Sequence, residues 1–166
     1  MNPQEQILQK AHLLLQSVTD PEIPVLSVFD LGIVREIRSG SDGVLEVVIT
    51  PTYSGCPAMG VLEVNIRAAL QEEGIDPVRV ITVLSPAWTT SWLTEAGKEK
   101  LRAFGIAPPE EASKDKKALM GERRVLQCPH CSSANTEMVS QFGSTSCKAL
   151  FRCLDCLEPF DYFKCH

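Results

Sequence analysis

The residues most able to do chemistry are sulfurs. The chain of 166 residues contains seven cysteines, an odd number. Its start, Met-Asn-Pro-Gln-Glu-Gln, lacks the basic-then-apolar pattern of a secretory leader. A disulfide framework therefore disagrees with both compartment and parity, and a cytoplasmic protein is expected. Six cysteines fall in the last 39 residues and the seventh, Cys56, stands alone. Cys128-Pro-His-Cys131 and Cys153-Leu-Asp-Cys156 are two Cys-x-x-Cys pairs 21 residues apart. A Cys-x-x-Cys turn lets two thiolates reach one tetrahedral Zn²⁺, and two such knuckles complete its coordination. The four sulfurs predict a zinc ribbon, and an iron–sulfur cluster on the same thiolates is the sharper alternative. Cys147 and Cys165 are left without a role. His130 and His166 could each replace a thiolate, but neither is needed.

Cys56 poses a different problem. It lies in Thr52-Tyr53-Ser54-Gly55-Cys56-Pro57, between an expected strand and an expected helix. With Pro57 in the first turn, the sulfur falls at or beside the helix start. Free N–H groups and the helix dipole there predict a stabilised thiolate with a lowered pKa. The plainer alternative is a small buried residue in a tight turn. Asp20 and Glu22 form a carboxylate pair in a Pro-stiffened loop, a type that is often solvated or capping. Trp88 and Trp92 flank Thr-Thr-Ser, a spacing more often used for packing than for binding.

These groups must be positioned by local structure. Ile7, Ala11, Leu14, Leu15 and Val18 recur at helical spacing and predict a helix over residues 3–18. Ile33–Ile37 and Leu45–Thr50 read as strands joined by the Ser-Gly-Ser-Asp-Gly turn. Leu45, Val47 and Ile49 are expected on one face. Met59, Leu62, Ile66, Ala69 and Leu70 mark a second helix with Gly74 beyond its end. Val78–Leu84 is a third strand, and Thr94–Phe104 a weaker helix. The order αββαβα makes a small α+β domain. The crossover through the second helix implies that strands two and three are parallel. Loops after those strands, carrying Cys56 and the tryptophans, would share one rim.

Composition divides the chain into residues 1–106, a Pro- and charge-rich linker at 107–121, and the cysteine module at 122–166, with hairpin strands expected at Thr136–Gln141 and Ala149–Arg152. Net charge is −5 and no long basic run exists, which argues against nucleic acid or an anionic membrane as partner. The terminal module balances five basic against five acidic residues. About 45 residues bury too little apolar surface to fold alone, so the metal is expected to supply folding energy.

Asp20-Pro-Glu-Ile-Pro, Asp30-Leu-Gly-Ile-Val and Thr52-Tyr-Ser-Gly-Cys-Pro together resemble the MIP18 family, also called domain of unknown function 59, whose members act in iron–sulfur cluster assembly. Ser85-Pro-Ala-Trp-Thr-Thr and the tail Phe142–Lys164 are similar to the branch of that family that accompanies phenylacetyl-CoA epoxidase in aerobic phenylacetate degradation. The resemblance implies an iron–sulfur-assembly-type domain followed by a zinc ribbon. It places the family's reactive thiol on Cys56, with Asp20, Glu22, Thr52 and Trp88 in support. It places the ribbon ligands on Cys128, Cys131, Cys153 and Cys156. The glycine usual after the first knuckle is Ser132 here.

The implied function is accessory rather than catalytic: helping to mature a metal centre of the epoxidase, above all the [2Fe–2S] centre of its reductase subunit. A single thiolate cannot hold a stable cluster, so a transient cluster at Cys56 would be shared with a partner or across a homodimer. The alternative is a non-catalytic structural component of the oxygenase complex.

Overall fold

The computed structural model describes residues 2–110 and 124–164. It contains two compact units, Met1–Thr94 and Glu95–His166. No helix among the described residues is long and apolar enough to cross a membrane.

In the first unit, α1 spans Pro3–Leu15. Asn2 and Glu5 close a reciprocal cap at its start, each satisfying a backbone N–H of the other end of the first turn. The helix stops three residues short of the expected end. From Gln16 to Val18 the backbone tightens into i→i−3 hydrogen bonds, and Val18 is buried through that turn.

Strands β1 (Val34–Ser39) and β2 (Leu45–Ile49) form the expected antiparallel hairpin. Helix α2 (Ala58–Gln71) then returns the chain to β3 (Val78–Thr82), which pairs parallel with β2. Sheet order is β1-β2-β3, with α1 packed on α2 and β1 and α2 packed on β3. The central position of β2 buries all five of its residues, not only Leu45, Val47 and Ile49. Glu46 is 8% exposed and lies between Arg38 of β1 and Arg79 of β3, at 2.8 and 2.7 Å. Hydrogen bonds from these two guanidiniums hold its carboxyl below the usual range. Apart from Trp88, the rest of this core is aliphatic, including Leu15, Leu26, Ile33, Ile49, Leu62, Ile66 and Leu70.

In the second unit, α3 (Glu95–Ala103) precedes a two-residue strand, β4 (Ile106–Ala107). The expected hairpin is present as β5 (Thr136–Ser140) and β6 (Lys148–Cys153). A third ribbon strand, β7 (Pro159–Phe163), was not expected from the Glu-Pro-Phe-Asp-Tyr-Phe pattern, where proline and a short apolar run mask the period. Sheet order is β4-β7-β6-β5, and β4 pairs parallel with β7. Residues 95–106, expected to complete the first region, fall in the same compact unit as the ribbon, because β4 hydrogen-bonds into its sheet. The expected linker at 107–121 lies mostly outside the described residues. Phe151, Phe160 and Tyr162 form the aromatic centre of this unit, with ring centroids 5.8 Å apart in two pairs.

Candidate functional site: a half-buried thiol and a four-sulfur centre

The loop that leaves β2 places Cys56. Thr50 and Pro51 are buried, and the chain turns through Tyr53–Cys56, where the Cys56 N–H donates to the Tyr53 carbonyl at 3.3 Å. Gly55 supplies a left-handed residue at φ +84°. Pro57 caps α2 without a side-chain hydrogen bond, and no acidic residue lies in the first turn. The Ala58 N–H is thereby left to the Cys56 sulfur, and the Tyr53 side chain adds a second hydrogen bond.

The pKa expected for this thiol is corrected by the structure. Cys56 is half-buried, and its pKa is raised rather than lowered. Burial is the main cause; the Ala58 N–H and Tyr53 oppose it, while the charges of Glu22 and then Asp20 push further upward. The helix start does favour the thiolate, but desolvation and two carboxylates outweigh it.

Those carboxylates are the second finding. The sequence leaves a gap of more than thirty residues between Glu22 and Cys56, yet the fold brings them within electrostatic reach. Asp20 is positioned by its own loop. Its Oδ1 accepts the N–H groups of Glu22 and Ile23, both at 2.8 Å, and its N–H donates to the Leu26 carbonyl at 2.9 Å. Thr52 is half-buried in the Cys56 loop. Trp88 is 3% exposed and donates its indole N–H to the Leu31 carbonyl at 2.7 Å, so it fastens its loop rather than presenting a ring. Because β2 and β3 are parallel, the Cys56 and Trp88 loops do leave the same end of the sheet. Sequence reasoning missed Tyr53. Its only signal was position, three residues before the thiol in a turn that folds back on itself.

In the second unit, Cys128, Cys131, Cys153 and Cys156 bring four sulfurs within 4.8 Å of one another. Cys128 and Cys156 are 3.7 Å apart, and Cys131 and Cys153 3.6 Å. Thiolates 2.3 Å from one tetrahedral ion lie about 3.8 Å apart. The donor set fits a single ion. It is too tight for a cluster, which spreads its four thiolates over separate irons. The pKa of Cys153 is lowered to about 7, chiefly by the Cys156 N–H. Cys156 stands at about 12: the Glu158 N–H favours its thiolate, but burial and contacts with the other three sulfurs outweigh it. A bound dication would reverse that balance.

Both knuckles end on a left-handed residue, Ser132 at φ +64° and Leu157 at φ +66°. Ser133 and Asn135 bind the Asp155 carboxylate, with Asn135 at 2.9 Å, and so tie one knuckle to the other. Cys147 is buried beside the Thr145 hydroxyl at 3.0 Å and is outside the four-sulfur group. Cys165 and His166 lie outside the described residues.

Comparisons with known proteins agree with this division. Residues 9–84 match the family described as Iron-sulfur cluster assembly protein, and residues 112–164 match the PaaD zinc beta ribbon domain. A crystal structure of a domain of unknown function DUF59 from Bacillus anthracis superposes with a TM-score of 0.54 at 24% identity, covering 59% of this chain and 93% of that one; it shows the fold. A "Fe-S protein maturation auxiliary factor" of Porphyromonas gingivalis (strain ATCC BAA-308 / W83) is 32% identical over 49% of this chain and 78% of its own. A putative 1,2-phenylacetyl-CoA epoxidase subunit of Escherichia coli (strain K12) is 49% identical over 92% of this chain and 89% of its own. With that identity sustained through both units, the chain belongs to the family of this epoxidase subunit, in which an iron–sulfur-assembly domain of the DUF59 type is joined to a zinc ribbon.

Proposed function

We propose that the protein is a cytoplasmic accessory factor, not a catalyst, that hands iron or an iron–sulfur cluster to a phenylacetyl-CoA epoxidase system through Cys56. The observation that carries this reading is the approach of Glu22 and Asp20 to Cys56, close enough for both charges to act on the thiol. A thiol held protonated by burial and two carboxylates is a poor general nucleophile at neutral pH. It becomes a ligand when a cation arrives, because the cation takes the proton's place and is attracted by the same carboxylates that raised the pKa. Occupancy is thus coupled to proton release. One thiolate leaves most cluster positions open, so the remaining ligands come from the recipient or from a second copy of the chain. The [2Fe–2S] reductase subunit is the client that family analogy favours.

The four ribbon cysteines would hold Zn²⁺. The ion would cross-link the two knuckles and supply folding energy to the strands between them. The relatives named above as a maturation factor and as an epoxidase subunit support this reading.

The test is Cys56→Ala in cells that depend on the epoxidase. The expected outcome is folded protein with its zinc retained and a reductase subunit lacking its cluster. Full cluster occupancy of the reductase in that strain would sink the proposal. Tight, stoichiometric co-purification with active epoxidase, unaffected by Cys56→Ala, would point to a structural component instead.

A further inference from the structure

The end of the sheet that carries Cys56 differs from the rest of the chain in charge. Acidic and basic residues make up 22% of the sequence, yet residues 50–62 and 80–94 contain none. The first of these segments leaves β2, forms the Cys56 turn and enters α2. The second runs out of the parallel strand β3 into the loop fastened by Trp88. The Thr82 hydroxyl at the end of β3 donates to the Glu63 carboxylate in the second turn of α2, at 2.9 Å. The two segments are thus neighbours.

What they expose is neutral and largely apolar. Ser54, Gly55, Pro57 and Gly60 are exposed around the thiol. On α2, Val61 is 50% exposed and Val64 59%, while Leu84, two residues beyond Thr82, is 60% exposed. A side chain at Gly60 would meet nothing within 4 Å, so the helix backbone there is open to close approach. The rim is also preorganised. Trp88 is tied to the Leu31 carbonyl, the Trp92 ring lies under the Arg35 guanidinium at 3.5 Å, and the Thr94 N–H donates to the Asp30 carbonyl at 2.9 Å. Exposed apolar side chains on an ordered surface depleted of charge are the composition of an interface core.

The charges that border this rim are of one sign. Glu22 and Asp20 act on the Cys56 thiol, and Glu63 is the first charged residue of α2. A second copy docked here about a twofold axis would set these carboxylates against their own images, whereas a partner with cations opposite them is attracted.

We propose that this rim is the docking surface for the iron–sulfur recipient, a folded protein that sets an apolar patch on Val61, Val64 and Leu84 and basic side chains opposite Asp20, Glu22 and Glu63. The proposal rests on the reading of Cys56 as the transferring thiol, since a recipient taking cargo from that sulfur must cover the surface around it.

The test is binding of the purified reductase subunit, stripped of its cluster, to the full-length chain by biolayer interferometry. Val61→Glu and Leu84→Glu, with folding checked by amide spectra, are each expected to weaken binding at least about tenfold. Ile7→Glu makes the same change at an exposed apolar residue near the start of α1 and is expected to leave binding unchanged. Cys56→Ala separates the two proposals. If it binds the reductase normally and still matures it, the role of the thiol fails and the rim stands. If it blocks maturation while both rim variants bind like the wild type, the rim fails and the thiol stands. No binding by the wild type, or an equal loss with Ile7→Glu, would overturn the docking surface. So would a wild-type dimer in sedimentation that Val61→Glu dissociates, which would assign the rim to a second copy of the chain.

Discussion

The two units hold themselves together by different means. The first has an aliphatic core from two helices and a sheet, and its thiol is incidental to that core: Cys56 sits half-buried in a loop. The second has a few aromatic rings and four converging sulfurs, two of them, Cys128 and Cys153, themselves part of the hydrophobic cluster. Under the proposed function, removing sulfur from the first unit would remove function, and removing it from the second would remove structure. On that reading the same side chain would serve as cargo ligand or as rivet according to how many of its kind the backbone gathers.

The largest test of that contrast is metal removal. Chelation, or Cys153→Ser, is expected to unfold β5, β6 and β7, since structural zinc supplies on the order of 10 kcal/mol to small ribbons. Amide spectra should show first-unit signals unchanged while ribbon signals collapse; a ribbon that stays folded without metal would break the comparison. The converse is Trp88→Ala. It deletes a buried ring and its hydrogen bond to Leu31, and is expected to cost the first unit about 3–5 kcal/mol while leaving metal content at the ribbon intact, read by denaturant unfolding beside metal analysis.

A smaller effect concerns the thiol itself. Because its pKa is raised, Cys56 holds less thiolate at neutral pH than a free cysteine, and its alkylation should be slower and should accelerate as pH rises. Asp20→Asn or Glu22→Gln removes a negative charge, lowers that pKa, and should speed alkylation roughly threefold near neutrality. An unchanged rate would separate the carboxylates from the sulfur. The smallest is Leu157→Gly. Relief of its left-handed backbone should stabilise the ribbon by about 1 kcal/mol and leave the first unit's unfolding unmoved.

Legibility in the sequence followed spacing. The Cys-x-x-Cys pairs named the four-sulfur centre because local turns dictate where those sulfurs go. The αββαβ order and the parallel crossover were readable because Leu62, Ile66 and Leu70 keep helical period and Val47 and Ile49 keep strand period. What depended on distant neighbours was not readable. The pKa of Cys56 took the wrong sign because a helix start is a local feature, whereas burial and the approach of Glu22 are tertiary. Strands β4 and β7 were missed for the same reason: two residues in one case, and a run opened by proline in the other, become strands only when paired. Ser132 stood out only through the family resemblance, as the position where a glycine is usual, and its positive φ accords with that expectation.

The parallel pairing of Ile106–Ala107 with Asp161–Tyr162 has a practical side. A ribbon excised at the compositional boundary, from residue 107 or 122 onward, would lose the strand that covers β7. The flank of Phe160 and Tyr162 would then present open backbone donors and acceptors to any chain in solution, the usual start of edge-to-edge aggregation. A cut between Thr94 and Glu95 keeps that flank closed. The short strand after α3 thus seals a flank of the ribbon that would otherwise be open to pairing.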